Sequence, residues 1–263
     1  MKHIIITGST RGIGFGLAQA FLELGCTVTV SGRMQSSVDE AVGRLNEKHD
    51  RSHIDGCACD VRHLEQIRAL WDRSIERFEK VDVWINNAGF SGSQAPVWKI
   101  PPDQALDIVQ TNLLGVIYGS MVAIQGMLGQ GFGGLYNMEG MGSDGRKHDG
   151  LSLYGTTKYG MHYFTECLVR ETQGTPLVVG SLRPGMVITD MILKQYEGGS
   201  AEWERARRVF NLLADRVETV APWLAAQILT NQRSGVCIRW LTKGKLVRRM
   251  LFSPFQKRDL FGI

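Results

Sequence analysis

The chain has 263 residues, 43% of them hydrophobic and 21% charged, with a net charge of +4. Such a chain can bury a large core as one domain, and its small charge excess offers no argument for a nucleic-acid partner. No apolar run approaches the ~20 residues of a membrane span, and Met1 leads into an apolar segment with no signal or transit pattern, so the expected location is the cytoplasm.

The first predicted strand, His3 to Thr7, runs into a turn holding Gly8, Gly12 and Gly14, and then into a helical pattern from Phe15 to Leu24. Strand, glycine turn and helix is the order a dinucleotide site needs. Small residues let the backbone approach pyrophosphate, and the helix N-terminus favours its charge. The plain alternative is a tight turn in a sheet protein. The second strand, Thr27 to Ser31, ends in Gly32-Arg33, with no acidic residue to accept from a ribose 2′-hydroxyl. Arg33, with Arg11 in the glycine turn, instead offers guanidinium groups suited to a 2′-phosphate, so the expected cofactor is NADP(H), used as NADPH. The alternative is two solvated surface charges.

Further strands are predicted at Ile54 to Ala58, Val83 to Asn86, Gly134 to Met138, Leu177 to Leu182 and Cys237 to Leu241. Helical patterns fill the gaps, notably Leu64 to Phe78, Asp103 to Leu128 and Tyr154 to Glu171. Strands separated by crossover helices require a parallel sheet covered on both faces. The expected fold class is therefore α/β, a doubly wound parallel sheet of Rossmann type. Residues 1–263 are read as one domain with a C-terminal extension at 243–263. Ligands of such sheets bind beyond the carboxyl ends of the strands, and Gly8, Asp60, Asn87 and Pro184 all follow predicted strands. The five cysteines lack zinc or redox spacing and read as reduced core residues, and no metal site is expected.

Tyr154 and Lys158 stand one helical turn apart on the same face, where an ammonium can stabilise phenolate. Free phenol titrates near pH ~10, so a tyrosine acting as acid or base needs a cation close by. Alone, such a pair is common on surface helices. In order along the chain, however, stand Thr7-Gly-Ser-Thr-Arg-Gly-Ile-Gly14, Asn86-Asn87-Ala88-Gly89 and Tyr154-Gly-Thr-Thr-Lys158. With these three motifs the chain resembles the short-chain dehydrogenase/reductase family over residues 1 to 242. The resemblance implies cofactor contacts at Gly8, Ser9, Thr10, Arg11, Gly12, Ile13 and Gly14, at Asp60 and Val61, and at Asn87, Ala88 and Gly89. It implies others at Tyr154 and Lys158, and at Pro184, Gly185, Val187 and Thr189.

The same resemblance implies that Tyr154 hands its proton to a carbonyl oxygen as hydride arrives, that Lys158 lowers the tyrosine pKa and holds the nicotinamide ribose, and that Asn112 anchors a relay water. The family's serine thirteen residues before the tyrosine is missing. Asn137-Met-Glu-Gly-Met-Gly-Ser143 stands there instead, leaving Ser143 as the candidate oxyanion donor and Glu139 or Gly140 in the usual serine's place.

That loop, with Arg183-Pro-Gly-Met-Val-Ile-Thr-Asp-Met191, Glu218-Thr-Val-Ala221 and Gly235-Val-Cys-Ile-Arg-Trp-Leu-Thr242, is similar to the chlorophyll b reductase branch. The implied reaction reduces the 7-formyl group of chlorophyll b to hydroxymethyl. A reductase of another bulky ketone or aldehyde, steroid or 3-oxoacyl, is the alternative, and a non-catalytic NADPH-binding protein a further one. A homodimer or homotetramer is expected. Trp98, Met141, Met186, Met191 and Trp203 could line an apolar entrance. Beyond 242, Lys243, Lys245, Arg248, Arg249, Lys257 and Arg258 alternate with large apolar residues. The tail is read as a helix over the cleft or against another subunit, or else as a strip lying on an anionic membrane surface.

Overall fold

A computed structural model describes residues 1–193, 200–252 and 258–261. Its central sheet is parallel, with seven strands in the order β3-β2-β1-β4-β5-β6-β9. The strands are β1 (His3–Ile6), β2 (Thr27–Gly32), β3 (Ile54–Ala58), β4 (Val83–Asn86), β5 (Gly133–Met138), β6 (Leu177–Arg183) and β9 (Cys237–Arg239). These are the seven strands expected from the sequence, each end shifted by at most two residues. The order reverses between β1 and β4, which opens a crevice at the carboxyl ends.

The sheet is covered on both faces, and β1 shows how. Ile4 and Ile6 point into one layer with Leu17 and Phe21 of α1 (Gly12–Glu23), Leu45 of α2 (Gln35–Asn46) and Leu224 of α9 (Val217–Thr230). Ile5 points into the other, with Leu70 and Trp71 of α3 (Leu64–Phe78), Met127 of α5 (Gly115–Gln130) and Leu168 of α6 (Ser152–Glu171). All three isoleucines are fully buried, because alternate side chains of a two-sided strand both meet apolar cover.

The long helix predicted from Asp103 to Leu128 is interrupted. It consists of α4 (Pro102–Val109), a π turn over Gln110–Leu114 and then α5. One wide turn is inserted where Asn112 lies, a device that re-aims a side chain within a helix. By length and composition, Pro102–Gln130 is apolar enough to cross a membrane, contrary to the sequence expectation. In the fold it packs against α3 and α6.

The C-terminal half adds further elements, of which only the helix in the tail was expected from the sequence. They are β7 (Val187–Ile188), α7 (Asp190–Leu193), α8 (Ala201–Leu213), β8 (Asp215–Arg216) and α10 (Lys243–Phe252), with β7 and β8 pairing in parallel. The tail is tied to the body of the chain. Arg249 donates to both carboxylate oxygens of buried Asp215, Arg258 donates to one of them, and Phe261 stacks edge-on against Trp203 at 5.0 Å. Phe255 and Lys257 lie outside the described residues. All five cysteines are free thiols.

Candidate active site

The glycine turn is stitched to the loop after β4. Thr7 Oγ1 accepts from the main-chain N–H of Asn87 at 3.0 Å and of Ala88 at 3.1 Å. The Asn87 amide donates back to the carbonyls of Thr7 and Gly8, both at 2.9 Å. The two loops are so close that a Cβ on Gly14 would stand 2.5 Å from Asn87 Nδ2 and 2.6 Å from Gly8 O. Ser9 faces inward, donating to Ile6 O at 2.6 Å and accepting from Ser31 N–H at 2.9 Å. Thr10 lies over Gly32, and Ile13 packs on the core beneath.

Arg11 precedes α1 without capping it, and no acidic residue occupies the first turn. The helix therefore presents its first N–H groups uncompensated, as an anion site requires. Arg11 and Arg33 are both exposed. Thr189 approaches the turn, its Cγ2 3.5 Å from where a Gly12 Cβ would stand. Bare main chain, an uncapped helix start and two exposed cations together fit a dinucleotide phosphate.

Around the same rim, Asp60 is paired with Arg62 at 2.6 Å, and Arg62 also reaches Asp107 at 2.5 Å. Val61 is buried against Gly115. Pro184 and Val187 are buried, whereas Gly185 is exposed.

The reaction side forms where β5, α6 and the π turn converge. Asn112 is fully buried, and its amide clamps Phe90: Oδ1 accepts from Phe90 N–H at 2.7 Å, while Nδ2 donates to Phe90 O at 2.8 Å and to Thr157 Oγ1 at 3.2 Å. A Cβ on Gly89 would stand 3.5 Å from Asn112 Oδ1 and 3.8 Å from Lys158 Nζ, so the Asn-Asn-Ala-Gly loop closes directly on the lysine. Tyr154 lies in the first turn of α6, Lys158 one turn later. The lysine is buried and donates to Met138 O at 2.9 Å.

The electrostatics differ from the expectation. Burial pushes the Tyr154 phenol up to about 12. Burial lowers Lys158 from its usual 10.5 to about 8, against which the nearby Glu139 charge pulls upward. Lys158 Nζ stands 5.8 Å from the centroid of the Tyr154 ring. Its ammonium is aimed at a carbonyl, and it is itself under desolvation strain.

The loop after β5 resolves the missing serine. Gly140 faces the tyrosine, and a Cβ there would stand 2.3 Å from the phenol oxygen. Ser143 is fully buried and accepts from Gly140 N–H at 3.1 Å. Its hydroxyl braces the loop that carries Gly140.

Glu139 was recognised in the sequence only as a possible stand-in for serine, and its partners come from distant elements. Its side chain is fully buried, paired with Arg183 through both Nε and Nη2 and with His162 Nδ1 at 3.0 Å. His162 sits one turn beyond Lys158, a spacing that could have flagged it. Of the residues expected to line an entrance, Trp98 is 81% and Met141 40% exposed, and Met186 is half-buried. Trp203 packs with Phe210 and Phe261, and the Met191 side chain lies outside the described residues.

Residues 2–198 match the short chain dehydrogenase family. The chain belongs to that family. It is an oxidoreductase of carbonyl or hydroxyl groups on the fold that binds NAD(P)H. This short-chain dehydrogenase is 34% identical over 257 residues to chlorophyll(ide) b reductase NOL of Oryza sativa subsp. japonica, covering 94% of the chain and 74% of the relative. It is 36% identical over 249 residues to the Arabidopsis thaliana protein of the same name, covering 91% and 70%. Among solved structures, an actinorhodin polyketide ketoreductase with NADPH superposes with a TM-score of 0.80 at 26% identity, covering 93% and 97%. Structures of the same fold hold NADH or NADP+. The chlorophyll(ide) b reductases of both plants are chloroplastic, which overturns the cytoplasmic expectation. The expectation rested on composition and on the lack of a visible targeting pattern, neither of which identifies a compartment.

Proposed function

We propose that this short-chain dehydrogenase is an NADPH-dependent carbonyl reductase of chlorophyll b, converting its 7-formyl group to hydroxymethyl within a single domain spanning 1–263. The observation that carries this reading is the bare Gly140 against the phenol of Tyr154, in a loop otherwise matching the chlorophyll b reductase pattern. The phenol of Tyr154 fills the space a side chain there would take, so a residue larger than glycine would displace the proton donor from its place beside this loop.

Gly8 to Gly14, Arg11, Arg33 and the loop Asn87 to Gly89 would hold the dinucleotide. The reduced nicotinamide supplies hydride when bound. Tyr154, a phenol that is protonated at neutral pH and that burial pushes further up, donates its proton to the carbonyl oxygen. Lys158 stabilises the phenolate left behind, its charge supported in turn by Glu139. Ser143 keeps Gly140 in place. The Asn112 amide is spent on Phe90 and Thr157, holding the loop after β4 against α6. Incubation of purified protein with NADPH and chlorophyll b, with the product identified by mass, tests the reading. Reduction of other carbonyls with no conversion of chlorophyll b rejects the pigment assignment.

A further inference from the structure

In the C-terminal half, α8 and α10 flank a cavity of about 810 Å³. From α10 it is lined by Lys245, Arg248, Arg249 and Phe252, at the i, i+3, i+4, i+7 spacing of one helix face. Arg207, Arg208 and Leu212 line it from α8, and Arg258 from the tail. The polarity of α10 is inverted: three of its cations, Lys245, Arg248 and Arg249, face the cavity, while Val247, Met250 and Leu251 are 54%, 56% and 67% exposed.

The acids nearby are already engaged. Asp215 takes Arg249 and Arg258, and Asp259 stands 3.7 Å from Arg207. Among the described residues, no carboxylate lies within ion-pair distance of Arg208, Lys245 or Arg248. Lys245 rests over the Trp240 ring, 2.9 Å from its centroid. Burial lowers its pKa, and the charges of Arg249, Arg248 and Arg258 lower it further against the pull of Asp215. A concave surface with this much uncompensated positive charge is self-repelling until an anion enters.

We infer that the cavity is a phosphate-binding site for a ligand carrying at least two negative charges and an apolar part that meets Leu212 and Phe252. Guanidinium forks match phosphate oxygens in pairs, and the volume exceeds what a single phosphate fills. A free phosphorylated molecule and a phospholipid headgroup share this chemistry.

The test is thermal unfolding of the full chain, with saturating NADPH present, in inorganic pyrophosphate against sodium chloride at matched ionic strength. Pyrophosphate should raise Tm by about 3 °C more than chloride. The Arg208→Gln/Arg248→Gln double variant should lose that gain, melt above the wild type in low salt without added anion, and reduce a small aldehyde at the wild-type rate. The Arg208→Lys/Arg248→Lys variant, which keeps the charge, should retain most of the gain. Equal shifts in the two salts, or an undiminished gain in the Gln variant, overturn the site. Flotation with phosphatidylcholine vesicles, with and without phosphatidylglycerol, separates the sources. Capture by the anionic vesicles alone, reversed by pyrophosphate, identifies a headgroup; a pyrophosphate gain without flotation identifies a free phosphorylated molecule.

Discussion

The two halves of the rim are built on opposite principles. On the dinucleotide side, around β1, β2 and β4, the loops are joined by neutral hydrogen bonds from Thr7, Ser9 and Asn87, and the cations Arg11 and Arg33 remain exposed. On the reaction side, around β5, β6 and α6, charge is taken inside: buried Lys158 and Glu139 converge with partly buried Arg183 below the tyrosine. Neutral stitching needs close backbone approach and tolerates no added volume. Buried charges need partners and tolerate no loss of one. Each side should therefore fail in its own way.

The largest effects fall on the two defining residues. Tyr154→Phe removes only the transferable proton, so kcat for carbonyl reduction should fall by about 1,000-fold or more while NADPH binding stays within a few-fold. Near-normal turnover would refute the proposed acid. Gly14→Ala is the counterpart: its methyl would press on Asn87 and on the Gly8 carbonyl, so NADPH affinity and Tm should collapse together. If Gly14→Ala spared both, the close-approach account of the turn would be wrong.

Glu139→Gln probes the partner requirement. The amide keeps the shape but removes the buried carboxylate charge that pairs with partly buried Arg183, and the expected destabilisation is about 3 kcal/mol, read from urea unfolding without cofactor. A loss no larger than that of a surface Glu→Gln variant would mean that the network is ornamental.

How much of this was legible in the sequence follows the same division. The dinucleotide side is local: Gly8 to Gly14 and Asn86 to Gly89 are continuous motifs, and short apolar runs such as Ile4–Ile6, separated by helical patterns, pointed to a parallel sheet covered on both faces. The reaction side was only half readable. Tyr154 and Lys158 are neighbours on one helix, but Glu139, Arg183 and His162 come from β5, β6 and α6, and only packing brings them together. The π turn at Asn112 carries no period signal. Asp215 drawing Arg249 and Arg258 inward was equally invisible, because contacts across 34 and 43 residues leave no trace in local pattern.

Lys158 sharpens the comparison through pH. Its folded pKa, about 8, lies below the usual 10.5, so between those values the unfolded chain holds more protons and stability rises with pH. Below pH 8 both states are protonated, and the full cost of the buried charge is present. Lys158→Met should therefore be inactive yet more stable than the wild type, by about 1–2 kcal/mol at pH 7, an advantage that shrinks on raising the pH to 10. A less stable Lys158→Met protein would show that Glu139 more than offsets the desolvation.

The smallest effect belongs to the exposed cations, where solvent screens each charge. With Arg11 and Arg33 at the turn and no acid at the end of β2, NADPH should be preferred over NADH by at least about tenfold in kcat/KM, or 1.4 kcal/mol. Arg33→Asp should erode or reverse that preference by placing a carboxylate where the ribose 2′-hydroxyl would bind and a 2′-phosphate would be repelled. Since Arg33 is exposed and outside the neutral stitching, the substitution should leave Tm and the turnover number with saturating cofactor nearly unchanged. Loss of turnover with both cofactors would show that the end of β2 supports the fold of the turn. Equal or better use of NADH by the wild-type chain would remove the 2′-phosphate from the reading, and with it the one functional task assigned to charge on the neutral side.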